Sequence, residues 1–176
     1  MTSPAGELLR TARLRLRAWT TSESDVARLA DIYGRDEVTR WIGGPPKVPP
    51  AELPARWAAV HAQDERFGCW AIERDDGVVA GTVLFKPLPD GVGEVEVGWH
   101  LHPDSWGHGY ATEAARAVVE RGFEAGLPEV YAVVRPGNEP SMAVCRRLGM
   151  EPLGRMVRWY DVELEAFRLM APEVVD

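Results

Sequence analysis

Two glycines flank a histidine immediately before the most helix-like segment of the chain, in the stretch SWGHGYATEA that runs from Ser105 to Ala114. Glycine loses more backbone freedom on folding than any other residue, so its use beside a helix is unfavourable unless the backbone requires it. A left-handed turn requires it, and so does close approach of a ligand to the main chain. We therefore expect Gly107 and Gly109 to form a strand-to-helix turn whose N–H groups converge on an anion at the positive end of the helix dipole.

Neither common nucleotide-binding motif accounts for these glycines. The P-loop pattern GxxxxGK[ST] does not occur in the sequence. The dinucleotide fingerprint GxGxxG is matched at Gly107 and Gly109, but Thr112 stands in place of the third glycine. That fingerprint also requires a parallel βαβ unit, whereas the preceding segment, residues 94–101, is predicted to close an antiparallel meander. The glycine pair alone therefore leaves a structural turn and a phosphate site as comparable alternatives.

Periodicity along the chain predicts an α+β fold with one mixed, mostly antiparallel central sheet flanked by helices. Residues before 13 are expected to be loosely ordered, and the proline-rich segment 43–50 is expected to be a rigid loop. Gly98 interrupts a strand, which is typical of a bulge or of a close backbone approach. The predicted strands cover residues 13–19, 69–73, 78–85, 94–101, 130–134, 155–160 and 162–170, and the predicted helices cover 26–33, 50–65, 112–125 and 141–148.

Length and composition restrict the class of protein. A chain of 176 residues is expected to be a single domain, 1–176, with its core at about 13–170. Twenty Lys and Arg against 27 Asp and Glu give a net charge of 20 − 27 = −7, which argues against nucleic-acid binding and fits either a cationic partner or solubility alone. Cys69 and Cys145 are far apart and are expected to be reduced thiols. Without an apolar run of membrane-spanning or signal-peptide length, we expect a cytoplasmic protein with no membrane partner.

A second motif gives the glycine turn a more specific meaning. The segment NEPSMAVCRRLGM, Asn138 to Met150, follows the next apolar strand. Together with WGHGYATEA it resembles the two signature motifs of the GNAT superfamily of acetyl-CoA-dependent N-acetyltransferases. The phrase VEVGWHLHPDSWGHGYATEAA and the opening RLRLRAWTTSESDVARLADI resemble the branch that includes the ribosomal-protein serine/alanine N-terminal acetyltransferases. The resemblance spans roughly Arg13 to Leu169, and it implies a single GNAT-like domain.

The resemblance implies which residues hold acetyl-CoA. The strand around residues 100–102 would pair with the pantetheine arm through a gap that a bulge near Gly98 opens beside residues 130–134. Backbone groups after that strand would hold the pyrophosphate, and polar residues of the second motif would contact the pantetheine, the thiol region and the adenosine phosphates. The implied residues are, in that order, His100, Leu101 and His102; Gly107, His108, Gly109, Tyr110, Ala111 and Thr112; and Asn138, Ser141 and Arg147.

Acetyl transfer to an amine needs a neutral amine, and the thiolate that leaves must be protonated. Glu94 and Glu96 share one face of a strand, and either could belong to a solvated surface. The resemblance favours Glu96 as the base, acting directly or through water, because it occupies the glutamate of the family's Glu-Ile-Gly-Tyr-like phrase. Cys145 stands where many family members carry a tyrosine that serves as the general acid. A lone cysteine in an apolar helix is typically a core residue.

Ser141 is the expected general acid, although its simplest alternative role is to cap a helix; Cys145 and water remain open as the acid. The histidines at 100, 102 and 108 suggest a metal cluster, but no carboxylate or cysteine completes the ligand set at that spacing, so no metal is expected.

The predicted function is an N-acetyltransferase that moves an acetyl group from acetyl-CoA to a primary amine, on a protein N-terminus or a small molecule, by direct attack in a ternary complex. The alternative is a non-catalytic acyl-CoA-binding or sensor module of the same fold, which only the departure at Cys145 favours. The acidic balance further suggests a cationic acceptor, such as a peptide N-terminus or a polyamine, attracted by carboxylates near the cleft. A monomer and a homodimer are both compatible with the sequence.

Overall fold

A central sheet of eight strands organises the computed structural model, which describes residues 6–174. The strands are β1 (Glu7–Arg10), β2 (Leu14–Ala18), β3 (Gly68–Arg74), β4 (Val79–Pro87), β5 (Val95–Leu101), β6 (Glu129–Val134), β7 (Glu151–Met156) and β8 (Leu164–Met170). The helices are α1 (Glu23–Tyr33), α2 (Asp36–Thr39), α3 (Leu53–Gln63), α4 (Tyr110–Glu124) and α5 (Glu139–Arg147). Two short 3₁₀ turns, Pro50–Glu52 and Pro103–Ser105, precede α3 and α4. This architecture confirms the predicted α+β class.

The sheet opens between β5 and β6, the fifth and sixth strands in its order. The strand order is β1-β2-β3-β4-β5-β6-β8-β7, and the pairs are antiparallel except for β5 and β6, which run parallel. In the described part of the chain these two strands meet at one pair of residues, Glu96 opposite Tyr131. Beyond Glu96 the edge of β5 therefore has no partner strand on that side, and its backbone groups face a gap.

The predicted gap is present, but the predicted bulge at Gly98 is wrong. The register of β4 with β5 is continuous from Gly81 opposite Leu101 to Pro87 opposite Val95. Gly98 lies directly opposite Leu84, and a Cβ on Gly98 would lie 3.0 Å from Cγ of that leucine. The glycine thus allows a close approach between the strands, which is the other common reason for glycine inside a strand.

Helices cover both faces of the sheet and define two cores. α4 and α5 pack on one face, where Val118, Val144 and Leu148 contact strand residues such as Phe85 and Val97. α1, α2 and α3 cover the other face with a second buried cluster made of Trp19, Leu29, Ile32, Tyr33, Val38, Leu53, Ala71 and Val79. None of the helices within residues 6–174 has the length and apolar character needed to cross a membrane.

Three parts of the chain differ from the sequence-based expectation. Residues 7–10, expected to be loose, form the edge strand β1. The four-residue helix α2 was not expected. The strand predicted at 155–160 instead ends at Met156, so residues 157–163 form a turn that buries Trp159 and presents Tyr160. Tyr160 and Asp161 both adopt left-handed backbone conformations, with φ of 60° and 53°.

Candidate active site

One continuous cleft of about 1460 Å³ passes through the gap between β5 and β6 and reaches both faces of the sheet. Because side chains alternate along β5, Glu96, Gly98 and His100 face the α1–α3 side, whereas Trp99 faces the α4–α5 side. The cleft thus has two ends, which we call the acceptor end (the α1–α3 side) and the loop end (the start of α4). Eleven of the thirteen sequence-predicted site residues line it: Glu96, His100, Leu101, Gly107, Gly109, Tyr110, Ala111, Thr112, Asn138, Ser141 and Arg147.

The glycine turn has the geometry that an anion site requires. Gly107 and Gly109 have φ of 76° and 79°, in the left-handed region that favours glycine. Within the described residues, the backbone N–H groups of residues 107–112 have no hydrogen-bond acceptor in the protein, and the first intrahelical bond of α4 is donated by Glu113 to the carbonyl of Gly109. Several free donors therefore converge at the N-terminus of a 15-residue helix, which fits a pyrophosphate.

Arg13 fixes this turn, a role that the sequence analysis missed. Its Nε lies 2.7 Å from Oε2 of Glu113, and its backbone N–H donates to Oε1 of the same residue at 2.8 Å. Its Nη1 donates to the carbonyl of His108 at 2.8 Å, and its guanidinium lies 4.8 Å from the ring centre of Tyr110. These contacts cross about 100 residues of sequence, so no local pattern could have indicated them.

The histidines fall into three separate environments. His108 is exposed and does not line the cleft, although its backbone belongs to the anion turn. The Nδ1 of His102 accepts from the N–H of Asp104 at 3.0 Å, and its Nε2 therefore donates to Asp31 at 2.8 Å.

Both backbone groups of His102 are also used within the protein: its N–H donates to Ala80, and its carbonyl accepts from Ser105. His102 therefore has no free backbone N–H to offer, and its carbonyl keeps one lone pair, so the pairing of this residue with the pantetheine stays a prediction that the geometry does not favour. The other two members of that strand segment, His100 and Leu101, do line the cleft.

Glu96 is the buried carboxylate at the point where β5 and β6 part. Its side chain is 6% exposed and accepts a short hydrogen bond from the hydroxyl of Tyr160, with Nζ of Lys86 3.7 Å away. Burial raises the pKa of Glu96 above its usual value, and the partly compensating contacts of Tyr160 and Lys86 lower it. Glu94 instead accepts hydrogen bonds from Arg158 and from the backbone N–H of Val92, and it does not line the cleft. The structure thus separates the two glutamates that the sequence left together.

Tyr160 is the second site residue that sequence reasoning missed. It lines the cleft from the turn between β7 and β8, and burial together with the negative charge of Glu96 raises the pKa of its hydroxyl, so it stays protonated and donates. The sequence places it 64 residues from Glu96. The adjacent Tyr-Asp pair could have indicated a turn, because Asp tolerates left-handed conformations.

Ser141 and Cys145 have opposite environments. Ser141 Oγ accepts from Nε1 of Trp99 at 3.3 Å and lines the cleft. Ser141 lies inside α5, where the N-cap residue is Asn138, so Ser141 does not cap the helix. Cys145 has no exposed surface, and burial raises the pKa of its thiol to about 12. The expectation of a core cysteine is confirmed.

His100 forms part of the acceptor end. Its Nδ1 lies 3.0 Å from the hydroxyl of Tyr33, which in turn lies 3.0 Å from Oγ1 of Thr82. Burial, and secondarily the charge of Lys86, lowers the pKa of His100 to about 4, so this imidazole is neutral at physiological pH. Among residues 6–174, no three His, Cys, Asp or Glu side chains are grouped as metal ligands.

An open parallel strand pair, a nest of free N–H groups and a buried carboxylate within one cleft define an acyltransferase that binds an anionic acyl carrier. The chain belongs to the GNAT acetyltransferase family, since the model of the acetyltransferase (GNAT) domain matches residues 13–151.

Known proteins support this assignment. The chain is 32% identical over 151 residues to the uncharacterized N-acetyltransferase YoaA of Bacillus subtilis, covering 84% of each chain. A solved acetyltransferase structure from Agrobacterium tumefaciens superposes with a TM-score of 0.76 at 29% identity and 92% coverage of each chain. The fold also matches the ribosomal-protein-S5-alanine acetyltransferase of Vibrio fischeri, with a TM-score of 0.73 at 16% identity, covering 96% of this chain and 98% of the other.

The protein is therefore an acetyl-CoA-dependent N-acetyltransferase. The alternative of a non-catalytic sensor module has no support among these relatives. The departure at Cys145 does not favour it either, because Cys145 is buried away from the cleft and Ser141 lines it.

Proposed function

We propose that the protein acetylates the primary amine of a small molecule or a peptide N-terminus by direct attack in a ternary complex. The observation that carries this proposal is the arrangement of the cleft, in which the unpaired N–H groups of residues 107–112 and the buried carboxylate of Glu96 line one continuous space. A cofactor held at the loop end and an amine held at the acceptor end would meet where β5 and β6 part.

Acetyl-CoA would lie along the unpaired edge of β5. The free N–H groups of Gly107 to Thr112 would hold its pyrophosphate, and the backbone of His100 and Leu101 would pair with the pantetheine arm. Asn138 and Ser141 would bond the arm near the thiol, and Arg147, which is exposed at the end of α5, would contact the adenosine phosphates. The bound molecule supplies an acetyl group activated as a thioester.

Glu96 would prepare the amine. A carboxylate with a raised pKa is a stronger base than an exposed one, and burial beside the gap places it within the cleft. The neutral amine forms a C–N bond to the acetyl carbon while the C–S bond breaks, the electron pair of that bond leaves with sulfur, and the proton lost by the amine goes to Glu96 directly or through water.

Ser141 would protonate the departing sulfur. Its oxygen accepts from the indole of Trp99, which leaves the hydroxyl proton free to be donated into the cleft. Cys145 is unsuited to this role, because its thiol is buried in the core and does not line the cleft.

The biological setting belongs to the same proposal. The continuous eight-stranded sheet and the family match over residues 13–151 support one catalytic domain with its core at about 13–170. We expect it to act in the cytoplasm, as a monomer or a homodimer, without nucleic-acid or membrane partners.

The test is an acceptor screen. The purified protein is incubated with acetyl-CoA and a panel of amino acids, peptides, polyamines and aminoglycosides, and free thiol is measured against a control without amine. We expect thiol release above the control with at least one amine, and its loss in the Glu96→Gln variant. Thiol release that no amine accelerates would contradict the proposal.

A further inference from the structure

The charges inside the cleft differ from those of the whole chain. Three carboxylates line the cleft, and each has a cationic partner: Glu37 lies 3.3 Å from Arg35, Glu96 lies 3.7 Å from Lys86, and Glu113 lies 2.7 Å from Arg13. The carboxylates of the cleft are therefore already paired, and the net charge of −7 of the whole chain does not describe the charge inside the cleft. The expectation that carboxylates would attract a cationic acceptor is not supported by this arrangement.

Three cationic side chains of the cleft, in contrast, have no carboxylate partner in the described part of the chain. Lys47, Arg135 and Arg147 line the cleft, and within residues 6–174 no carboxylate lies within 4.0 Å of any of them. Arg147 belongs to the proposed cofactor region. Lys47 and Arg135 instead belong to the acceptor end, where the loop of residues 43–50 meets the end of β6.

The position of Arg135 is specific. Arg135 directly follows β6, and its Nη2 lies 3.4 Å from the position that a Cβ on Gly43 would occupy. Gly43 has φ of 88° and no side chain, so the loop of residues 43–50 leaves room for the guanidinium. Arg135 is only partly exposed, and its guanidinium has no carboxylate partner within residues 6–174, so its donors are available to a ligand in the cleft. Its planar set of donors matches a carboxylate in a bidentate pair.

Apart from the paired Glu37, Lys86 and Glu96, the remaining walls of the acceptor end are neutral and mostly apolar. His100 is uncharged, and Val38, Trp41, Leu53 and Trp57 supply aliphatic and aromatic surface. A polyamine would bring several positive charges to two unpaired cations and would lack an anionic partner. An amine held beside positive charges also has its pKa lowered, which favours the neutral form that attacks.

We propose that the acceptor carries a carboxylate close to its primary amine, as an amino acid with an apolar side chain does, and that Arg135, assisted by Lys47, binds that carboxylate. This proposal rests on the acetyltransferase function proposed above. Tyr131, the residue opposite Glu96, precedes Arg135 by four positions, a separation of roughly 13 Å along an extended strand before side-chain length is counted. The side chains of Glu96 and Arg135, reaching toward each other across this distance, would hold the amine and the adjacent carboxylate of one small molecule.

The experiment compares matched acceptors: leucine, leucinamide and isoamylamine, together with spermidine. Thiol release is measured at saturating acetyl-CoA, and kcat/KM is determined for each acceptor. In the unmodified protein we expect kcat/KM for leucine to exceed that for the two uncharged analogues by at least about tenfold, in the range of a charge-assisted hydrogen-bonded pair. Arg135→Gln should lower the value for leucine about tenfold or more and change the value for isoamylamine less than about twofold.

Two further measurements make the test independent of turnover. Leucine binding is followed by quenching of tryptophan fluorescence in the presence of CoA, since Trp41, Trp57 and Trp99 line the cleft, and we expect Arg135→Gln to weaken it. Acetyl-CoA affinity is measured by calorimetry and should not change. The matched control is Arg146→Gln, because Arg146 is exposed on α5, pairs with Glu139 and does not line the cleft.

Preference for spermidine or isoamylamine over leucine, or equal rates for all three leucine-like acceptors, would overturn the proposal while leaving the acetyltransferase function intact. A loss of acetyl-CoA affinity in Arg135→Gln with unchanged acceptor selectivity would overturn it as well, because Arg135 would then belong to the cofactor region. If no amine accelerates thiol release, the proposed function itself fails.

Discussion

The hydroxyl of Tyr160 donates a hydrogen bond to the carboxylate of Glu96. The donor lies on the turn between β7 and β8 and the acceptor on β5, beside the gap through which the cleft passes. Tyr160 thus occupies a lone pair of the proposed base and tunes its protonation. Because Lys86 lies 3.7 Å from the same carboxylate, Glu96 has two groups that favour its ionised form against the effect of burial.

Tyr160→Phe should move the acidic limb of the pH profile of kcat/KM to higher pH. Burial raises the pKa of Glu96, and the hydrogen bond from Tyr160 lowers it, so removal of the hydroxyl leaves the carboxylate protonated up to a higher pH. The control is Val157→Ala, an exposed position on the same turn that does not line the cleft. An unchanged acidic limb in Tyr160→Phe would mean that protonation of Glu96 does not limit the reaction.

Glu96→Gln should lower kcat by roughly a hundredfold or more, the usual contribution of a general base, with little change in acetyl-CoA affinity. The deficit should be largest below the pKa of the acceptor amine and should shrink at alkaline pH, where the amine is already neutral. Glutamine keeps an oxygen that accepts from Tyr160, so the variant is expected to fold. The pH profile of kcat measures the effect, and wild-type turnover at all pH values would remove Glu96 from the mechanism.

The structural features that depend only on neighbouring residues were predicted from the sequence. The strand alternation and the glycine turn at Gly107 and Gly109 are local, because backbone conformation and side-chain period act over a few residues. At Gly98 the sequence left a bulge and a close approach open, and the bulge that the resemblance implied is absent, because only the neighbouring strand decides between the two causes.

The parts of the site that were missed depend on distant pairs. Arg13 holds the anion turn through Glu113 and His108, and Tyr160 reaches Glu96 from the last hairpin. The net charge of the chain also does not reveal that Glu37, Glu96 and Glu113 each have a cationic partner. Side-chain pairing in three dimensions decides which charges remain for a ligand.

Gly109→Glu should weaken acetyl-CoA binding more than tenfold, because it places bulk and a negative charge where the pyrophosphate would lie. The matched control is Gly126→Glu at the other end of α4. Both glycines are exposed with φ of 79° and 92°, so both variants carry a similar left-handed strain of about 1–2 kcal/mol. Calorimetry with acetyl-CoA measures the difference, and equal affinities in the two folded variants would show that the anion site has been misplaced.

Asp25→Asn should lower the free energy of unfolding at pH 7 by roughly 2–3 kcal/mol, because it leaves the guanidinium of Arg17 with one carboxylate fewer. Asp25 is buried and bonds Arg17 at 2.8 and 3.0 Å. Burial would raise the pKa of Asp25, but the bonds from Arg17 and Thr20 outweigh burial and lower it.

The stabilisation by Asp25 is therefore present above its unfolded pKa of about 3.8 and lost as the pH falls through the lower folded value. Urea unfolding at several pH values measures it. The control is Asp36→Asn, whose exposed pair with Arg40 contributes little. Equal losses in the two variants would contradict the prediction.

Ser141→Ala should lower kcat by roughly tenfold or more, within the contribution of a general acid or of the group that orients it, whereas Cys145→Ala should leave kcat of the folded protein within about twofold. The reason is position: Ser141 lines the cleft with a free hydroxyl proton, and Cys145 is fully buried. Cys145→Ala should instead lower the free energy of unfolding by roughly 1–2 kcal/mol, because it opens a small void in the core. Turnover at saturating substrates and urea unfolding are measured on both variants. A larger loss of turnover in Cys145→Ala would identify the cysteine as the acid, and equal, small losses in both would identify water.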